Sequence, residues 1–431
     1  MGRFSVMMVL GLCFVLMIMG PNMYRYATSG YQNYIDYYTR MQSHNIALSA
    51  VNIASNAFFI NSSWTAGYSN ISFNGGTYTV KVDSQLLPNS ILYRKILTSI
   101  STYQGWHDTV TVTFQPSNFA EFCVYLNNMS GVFWATGDTV WGPCHVENTF
   151  NVSGTPVFYG KTTSKLGTSP ATLPSGGTNP HFYGGYQSGV SVPMPTSFAK
   201  AETAAAQHGK VYKYPGNGSN YRDTVTLNAD STITIKEVLN GVTQAPVTSN
   251  ITTLAPNCTI WFRNSNVYIQ GTLKGKLTII ASDSAGAKPG GNFFIIGNIL
   301  YATDPSRTGG GTDMLGLCAD SSIDIHAPIN LSLVSLGATP LPQHDIIVEG
   351  ALFTRLGKFY CDFFSNSSAK NLGGVKVIGS LVSNTIGAFS QGSGASMTGY
   401  KNLFLFDNRF YNSFPPNYPV TGYFNIVAWR E

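Results

Sequence analysis

An uncharged apolar run from Phe4 to Gly20 constrains this chain more than any other part of its sequence. It reads FSVMMVLGLCFVLMIMG, with Arg3 just before it and Arg25 shortly after it. Its 17 residues reach the lower edge of the roughly 17–25 residues that a helix needs to span a bilayer. A secretory signal peptide has a similar composition, but no small-x-small cleavage site followed by a mature start is evident. The run therefore predicts a helix that is retained and needs lipid or protein around it.

The helical pattern continues past this run through residues 24–58. No proline occurs there, and Tyr24, Tyr31 and Tyr38 recur every seven residues. A helix over residues 1–58 would be roughly 90 Å long, at about 1.5 Å per residue. A lone small domain cannot cover a helix of that length, so neighbouring copies or a membrane must do so.

This segment resembles the N-terminal helix of type IV pilins and pseudopilins. Phe4, Gly11 and Pro21 carry the resemblance, together with the apolar run between them. The resemblance implies that the helix first sits in the inner membrane and then packs with copies of itself in a filament core. These pilins usually carry a glutamate at the fifth position, where this chain has Ser5, or Met8 if Phe4 is counted first. The residues predicted to mediate assembly are Phe4, Val9, Leu10, Gly11, Leu16, Pro21, Tyr24, Tyr31 and Tyr38.

The chain carries unusually little charge. Charged residues make up 10% of it, against roughly 25% in ordinary soluble domains. The net charge of +5 is spread over 431 residues without a basic run, so no nucleic-acid partner is predicted. Low charge density suits an exported subunit that packs among copies of itself, because little ionic desolvation accompanies the packing.

Residues 59–222 are predicted to form a mixed, strand-rich region with long loops. Thr77–Val82 and Thr109–Phe114 alternate with the period of half-buried strands. Ile91–Tyr103 between them is predicted as a short helix, and another short helix is predicted near Thr196–Gln207. The strings TGDTVWGPCHVEN, SGTPVFYGK and TDMLGLCAD resemble an uncharacterised family of large bacterial surface proteins. That family joins a pilin-like helix to a β-helical body, which implies architecture and export but no activity.

Residues 223–399 contain a five-residue repeat in the order apolar, any, small, any, apolar. Its copies begin at Ile269, Ile295, Ile325, Val348 and Val377, with steps of 26, 30, 23 and 29 residues. A period of roughly 20–50 residues is typical of solenoids, and small residues suit the corners between strands. The predicted fold is mainly β with a long N-terminal α-helix and a right-handed parallel β-helix as its body. An ordinary β-sandwich with coincidental motifs is the alternative.

The last predicted region, residues 400–431, is an aromatic tail. Aromatic side chains recur in it from Phe404 to Trp429. Such a tail most simply caps the open end of a solenoid, whose last coil would otherwise expose unpaired edge groups. A platform that binds a sugar or a protein partner is the alternative.

Five acidic residues are the candidates for catalysis or metal binding. Solenoid enzymes of the pectate-degrading kind place acids on adjacent coils, where they bind calcium or act as an acid/base pair. Acids at corners also make turn hydrogen bonds, which is the alternative interpretation. The five are Asp313, Asp320, Asp324, Asp345 and Glu349.

Other chemical motifs give little support to an enzyme. The seven histidines show no metal-ligand spacing, and His145 is predicted to be a hydrogen-bonded strand residue. The sequence contains no GxSxG, P-loop or dinucleotide fingerprint, and no lysine follows the glycine-rich Thr308–Thr312. We therefore predict no catalytic residue, no metal and no cofactor.

Cysteines and sequons supply the remaining candidate sites. None of the six cysteines lies in a CxxC pair. Disulfides could join Cys123 to Cys144 and Cys318 to Cys361 in an exported protein, and buried free thiols are the alternative. Asn-x-Ser/Thr sequons are candidate glycosylation sites in a surface protein. They begin at Asn61, Asn70, Asn128, Asn151, Asn217, Asn250, Asn257, Asn330 and Asn366.

Three functional hypotheses follow from these patterns. The first is a structural, non-enzymatic subunit of an extracellular pilus-like filament, or fimbrium, that is membrane-inserted before assembly. The second is a membrane-anchored monomeric adhesin or binding module, and the third is a secreted polysaccharide-active enzyme. The predicted partners are copies of the chain itself and the inner membrane before assembly, with glycans as a further candidate.

Overall fold

The protein is mainly β with one long N-terminal helix, which confirms the broader part of the predicted fold class. The computed structural model describes residues 2–129, 131–215, 221–282, 290–304, 311–326, 345–361, 364–365, 369–370, 372–391 and 397–431. Two compact units are present. Unit 1 comprises Met1–Gln85, Tyr93–Gln115 and Phe424–Glu431, and unit 2 comprises Leu86–Leu92 and Pro116–Tyr423. The aromatic tail, predicted as a single cap, is thus divided between the units.

The described helices are α1 (Gly2–Ile60), α2 (Ala199–His208) and α3 (Ile251–Leu254). α1 confirms the predicted long helix, and α2 confirms the short helix predicted near Thr196–Gln207. The strands before α2 are β1 (Tyr68–Phe73), β2 (Gly76–Leu86), β3 (Tyr93–Tyr103), β4 (Trp106–Asn118), β5 (Val124–Leu126), β6 (Thr139–Trp141), β7 (Cys144–Val146), β8 (Phe150–Asn151), β9 (Val157–Phe158), β10 (Thr162–Ser164), β11 (Thr168–Ser169), β12 (His181–Phe182) and β13 (Tyr186–Ser188).

Strands continue after α2 to the end of the chain. They are β14 (Lys210–Lys213), β15 (Arg222–Leu227), β16 (Thr232–Leu239), β17 (Val242–Thr243), β18 (Val247–Asn250), β19 (Thr259–Arg263), β20 (Asn266–Leu273), β21 (Lys276–Ser282), β22 (Phe293–Tyr301), β23 (Met314–Ala319), β24 (Ile323–Ile325), β25 (Ile346–Cys361), β26 (Gly374–Ile386), β27 (Ser390–Gln391), β28 (Thr398–Gly399), β29 (Lys401–Phe406) and β30 (Val420–Arg430). The first four strands and β30 form a five-stranded sheet in the order β1-β2-β3-β4-β30. Most of the others belong to a second, 21-stranded sheet.

Two tight turns build the antiparallel sheet of unit 1. Asn74 and Gly75 connect β1 to β2 with φ angles of 47° and 81°, and Gln104 and Gly105 connect β3 to β4 with φ angles of 45° and 83°. Positive φ at both central residues is what a two-residue type I′ hairpin turn requires. These local signals fix the pairing of neighbouring strands.

The short helix predicted over Ile91–Tyr103 is wrong, because residues 93–103 form β3. Leu97, Ser99 and Ser101 are buried, and the residues between them are more exposed. This two-residue alternation is the pattern of a strand with one covered face. The tight turn after Tyr103 then returns the chain antiparallel as β4.

The second half of α1 covers the sheet of unit 1. Its buried apolar residues, including Ile46, Ala50, Val51 and Phe58, pack against the sheet residues around Val112. They recur at spacings of three and four, which places them on one stripe of the helix. Burying a side chain the size of valine or phenylalanine contributes about 1.5–3 kcal/mol, so this stripe holds the helix to the sheet.

Parallel pairing dominates unit 2. One series of parallel pairs runs β14-β19-β21-β23-β25-β26, and a second runs β15-β20-β22-β24-β25. We call these strands, with their continuation beyond β26, the parallel stack. The first residues of the repeat copies pair in two sets: Ile269 is opposite Ile295, which is opposite Ile325, and Val348 is opposite Val377. Their side chains are buried, so apolar residues lie above one another from strand to strand.

The small residue of the repeat is explained at Gly271 and Gly379. Both have positive φ, 114° and 142° respectively, in the region that disfavours residues with a Cβ. A Cβ on Gly271 would collide with the carbonyl oxygen of Leu227, and one on Gly379 would collide with that of Gly350. These two copies of the repeat therefore require glycine, because the backbone of the neighbouring strand leaves no room for a Cβ.

The parallel stack joins two distant parts of the chain. β26 pairs with both β29 and β5, and Leu381 lies opposite Val124. The stack continues through β6 and β7 to β9 and β10, and then to β12 and β13. Residues 124–188 therefore stack on residues 374–406. The parallel ladders are present, and their winding as a right-handed β-helix stays a prediction.

Candidate assembly surface

The first half of α1 exposes an unbroken apolar surface. Every described residue from Gly2 to Tyr34 is exposed. α1 is the one described helix that is long and apolar enough to cross a bilayer, and none of its most apolar stretch is buried in the chain. The nine predicted assembly residues all lie in α1 and are all exposed. Their contacts with other molecules stay a prediction.

Tyrosines continue this surface beyond Pro21, which lies inside the helix. Tyr24, Tyr31 and Tyr38 are exposed, as are Tyr26, Tyr34 and Tyr37 between them. A spacing of seven residues is close to two helical turns, so the first three tyrosines lie along one side of α1. Tyrosine has an apolar ring and a polar hydroxyl, which suits both a membrane interface and a subunit contact.

Polar contacts fix α1 where it reaches the sheet of unit 1. The guanidinium carbon of Arg40 lies 4.0 Å from the ring centroid of Trp106. Nδ1 of His44 lies 2.7 Å from Oδ2 of Asp108, and the hydroxyls of Ser43 and Ser101 are 2.8 Å apart. No local sequence pattern indicates these anchors, because each joins the helix to a residue about 60 positions away.

The cysteines do not form the predicted disulfides. Cys123, Cys144 and Cys318 are free, buried thiols, and burial raises the pKa of each above its usual range. Cys318 and Cys361 lie in different hydrophobic clusters. Cys123 and Cys144 share a cluster but remain thiols. Cys13 in α1 is the exposed cysteine.

Three of the five candidate acids accept hydrogen bonds from backbone amides. Asp313 accepts from the amide of Gly275 at 2.7 Å and from that of Thr303 at 3.0 Å. Asp345 accepts from the amide of Gly374 at 2.7 Å, and Glu349 accepts from the amide of Tyr301. These contacts match the turn and corner role that was the alternative to catalysis.

The other two acids face basic side chains. Oδ1 of Asp320 lies 2.7 Å from Nε of Arg355, and Oδ2 of Asp324 lies 3.9 Å from Nδ1 of His326. Within the described ranges, no group of three or more His, Cys, Asp and Glu side chains could hold a metal ion. Most of the glycine-rich segment 308–312 lies outside the described residues.

His145 is a buried strand residue with partners for both ring nitrogens, as predicted. Nδ1 lies 2.7 Å from the hydroxyl of Thr163, and Nε2 lies 3.1 Å from Oε2 of Glu147. Burial lowers the pKa of His145. Burial also acts to raise the pKa of Glu147, but hydrogen bonds from Ser191, Val192 and His145 lower it overall. The cluster attaches the loop at Ser191 to the parallel stack.

The structure separates accessible sequons from inaccessible ones. Asn61, Asn70 and Asn250 are exposed, whereas Asn257 is buried and donates to the carbonyl of Ala204 at 2.6 Å. Asn128 and Asn151 are half-buried, and the Asn151 amide nitrogen donates to the carbonyl of Met129 at 2.8 Å. The sequons at Asn217, Asn330 and Asn366 lie outside the described residues.

Comparisons with known proteins add a remote structural similarity. No protein-family model matches the sequence, and no curated protein matches it. Among solved structures, the chain is similar to the competence-associated pilin ComZ from Thermus thermophilus. The two share 12% sequence identity over 91% of this chain and 97% of that chain, with a TM-score of 0.37. At that level of similarity, conclusions about function rest on the residues of this chain.

Proposed function

We propose that the chain is a structural, non-enzymatic subunit of an extracellular pilus-like filament on a bacterial surface. Copies assemble through the first half of α1. The observation that carries the proposal is the complete exposure of the apolar run from Phe4 to Gly20. Covering a side chain such as Phe4, Leu10 or Leu16 contributes about 1.5–3 kcal/mol. Leaving the whole run in water is therefore strongly unfavourable, and neighbouring α1 helices supply the cover.

The distribution of charge supports packing of α1 against its own copies. Between Arg3 and Arg25 the helix carries no ionisable acid or base apart from Cys13 and Tyr24, and its first acidic residue is Asp36. Helices can therefore pack side by side over this stretch without burying ions. The same stretch crosses the inner membrane before assembly, because its length and composition suit a bilayer.

The body that the filament displays is proposed to be a right-handed parallel β-helix. The in-register parallel pairs support this proposal, as do the glycines at the closest approaches between strands. The carboxylates of Asp313, Asp345 and Glu349 are engaged by backbone amides, which supports a structural role for them rather than catalysis.

A membrane-anchored monomeric adhesin is the second candidate. The same exposed helix favours it, because lipid alone could cover the apolar run. The two candidates differ in whether α1 meets another α1 at its final location. They also differ in whether the chain forms a polymer.

Cys13 offers a direct test, because it lies in the middle of the apolar run and is exposed while Cys123, Cys144, Cys258 and Cys318 are buried. Surface material sheared from expressing cells would be treated with a membrane-permeant bis-maleimide. The filament proposal expects Cys13-dependent dimers together with filaments in negative stain. Cys13→Ser should keep the filaments and lose the dimers.

The same preparation also distinguishes the membrane-anchored monomer from the filament subunit. Sheared material without filaments, with the chain found only in membranes and no dimer after cross-linking, would refute the filament proposal and favour the anchored monomer. A long-arm and a short-arm bis-maleimide should both cross-link Cys13 residues of neighbouring copies in the filament. The reason is that packed helices lie about 8–10 Å apart.

A further inference from the structure

Four oxygen-bearing side chains of unit 2 meet on the inner side of β15. The phenolic oxygen of Tyr214 lies 2.6 Å from Oδ1 of Asp223 and 2.7 Å from Oε1 of Glu237. The hydroxyl oxygen of Ser265 lies 2.5 Å from Oδ2 of Asp223. We call these four side chains the carboxyl cluster. Two acids in it contact the same hydroxyl group.

Strand pairing brings these two acids together. Asp223 lies directly opposite Glu237 in the antiparallel pair of β15 with β16. Residues opposite each other in such a pair have Cβ atoms about 4.5–5.5 Å apart, and like charges there are destabilising. Asp223 is 0% exposed and lies on the same side of β15 as the buried Val225 and Leu227, whereas Glu237 is half-buried. Water therefore screens a charge on Asp223 poorly.

The number of protons in the carboxyl cluster decides its charge. A tyrosine hydroxyl carries one proton, and an ionised carboxylate only accepts hydrogen bonds. With both acids ionised, Tyr214 could donate to one of them, and its other short contact would join two acceptors. One further proton resolves this conflict, because a protonated Asp223 donates to the Tyr214 oxygen while Tyr214 donates to Glu237. The two distances at Tyr214 therefore fit a cluster with one negative charge rather than two.

Aromatic side chains lie next to the carboxyl cluster. Tyr221 stacks on Tyr214 at a ring-centroid distance of 5.3 Å, and the Tyr221 hydroxyl donates to Asn240 at 2.5 Å. The ammonium nitrogen of Lys210 lies 5.2 Å from the ring centroid of Tyr212. Burial and the two acids raise the pKa of Tyr212 to about 12. Tyr212 therefore stays uncharged beside the two acids.

The basic residues next to the two acids in sequence lie on the other face of the sheet. Arg222 and Lys236 are exposed, and they point away from the two acids because successive side chains of a strand alternate between faces. Val267, which lies opposite Asp223 on β20, is uncharged. Burial raises the pKa of Asp223 to about 6, although its two hydroxyl partners act to lower it. The surroundings therefore favour the protonated form that the distances require.

We propose that the two acids of the carboxyl cluster share one proton through Tyr214, and that its loss, as pH rises, loosens β16 from β15. β16 covers one edge of β15, and β20 covers the other. Loss of the proton leaves two like charges opposite each other, which favours separation of β15 and β16. β16 is then a pH-sensitive cover over one strand edge of the parallel stack. The inference does not rest on filament formation, because all four side chains belong to unit 2.

The size of the effect follows from the two states of Asp223. In the closed pair its carboxyl keeps the proton up to about pH 6, and in the open pair it releases the proton around its ordinary pKa of 3.8. Between these values the open state binds fewer protons, so opening becomes more favourable as pH rises. The opening constant of β16 should therefore increase about fiftyfold from pH 4 to pH 7.

Hydrogen exchange of the full chain in detergent, measured by mass spectrometry, reports this opening. After correction for the intrinsic pH dependence of exchange, peptides that cover β16 should exchange about fiftyfold faster at pH 7 than at pH 4. Asp223→Asn keeps the size of the side chain without an acid, and it should remove the increase. Asp230→Asn is the matched control, because Asp230 is exposed in the turn between β15 and β16. It should keep the increase.

Infrared spectroscopy tests the proton itself, because a protonated carboxyl absorbs at a higher frequency than a carboxylate. The difference between the spectra of the unmodified chain and Asp223→Asn should contain the band of a protonated carboxyl at pH 5. That band should be lost by pH 7. Tyr214→Phe removes the oxygen that accepts from Asp223, and it should shift the band at pH 5 to higher frequency.

Several results would overturn the proposal. These are exchange of β16 with no pH dependence beyond the intrinsic one, an increase that Asp223→Asn leaves unaltered, or no protonated-carboxyl band at pH 5. Should Asp223→Asn fold poorly, the exchange of β16 in the unmodified chain and the band shift in Tyr214→Phe decide the question.

Discussion

Replacing Leu12 by arginine should abolish stable membrane retention of the chain. Leu12 lies at the centre of the run Phe4–Gly20, and it is 63% exposed. The run contains nine Leu, Ile, Phe and Val residues, each worth about −0.3 to −0.6 kcal/mol of insertion at a helix centre, or about −3 to −5 kcal/mol together. An arginine there adds about 2.5–3.5 kcal/mol and removes one leucine, which nearly cancels the total.

The assay is alkaline carbonate extraction of membranes from expressing cells, with the fraction of extracted chain as the readout. A change of about 3 kcal/mol corresponds to a change of about a hundredfold in the partition between membrane and water. Tyr31→Arg is the matched control, since Tyr31 is 68% exposed in the same helix but lies beyond the apolar run. If Leu12→Arg is extracted no more than Tyr31→Arg, the apolar run is not covered by lipid, and the proposed membrane stage is refuted.

Three further predictions concern stability. Replacing Phe58, which is 1% exposed on α1, by alanine should lower the free energy of unfolding of the protein by about 3–5 kcal/mol. Replacing its neighbour Phe59, which is 59% exposed, by alanine should lower the free energy of unfolding by less than about 1.5 kcal/mol in the same denaturant titration. Equal losses for the two variants would contradict the packing of α1. Burial raises the pKa of Asp223 to about 6 from an ordinary 3.8. Between these pH values the native state keeps a proton that the unfolded state releases. The contribution of Asp223 to the free energy of unfolding therefore falls by about 3 kcal/mol as pH rises from about 4 to 6. Asp223→Asn should flatten that part of the Tm–pH profile, and an unchanged slope would exclude the effect. Gly160→Ala should lower Tm by several degrees, because the added Cβ would collide with the backbone of Gly142. An unaltered Tm would contradict the close contact between the backbones of Gly160 and Gly142.

Sequence patterns predicted the local elements of this fold where one periodicity was dominant. The uncharged run and the tyrosine spacing predicted α1 within two residues of its end at Ile60. The repeat containing Gly379 predicted strands that the structure places in parallel register. β3 was missed because charged and small polar residues around Leu97 weakened its alternation, and only its pairing with β4 makes the strand clear.

Such local patterns could not predict which distant parts of the chain contact one another. Cysteine spacing does not indicate which face of a sheet each sulfur occupies, so it could not predict that Cys318 and Cys361 lie in different hydrophobic clusters. Trp134 and Asn402 line one cavity although 268 positions separate them. No local signal predicts that β5 and β6 continue a stack built from residues near the other end of the chain.

That continuation of the stack has a consequence for how the polypeptide acquires its structure. The surface on which β5 forms is the edge of β26, which is synthesised about 250 residues later. Pairs within residues 124–188, such as β5 with β7, can form early. The pairing of β5 with β26 must wait until most of the chain has emerged, and a loop this long must close before that contact stabilises the segment. A chain cut before Gly374 would leave the strand edge of Val124–Leu126 open and prone to pair with other molecules.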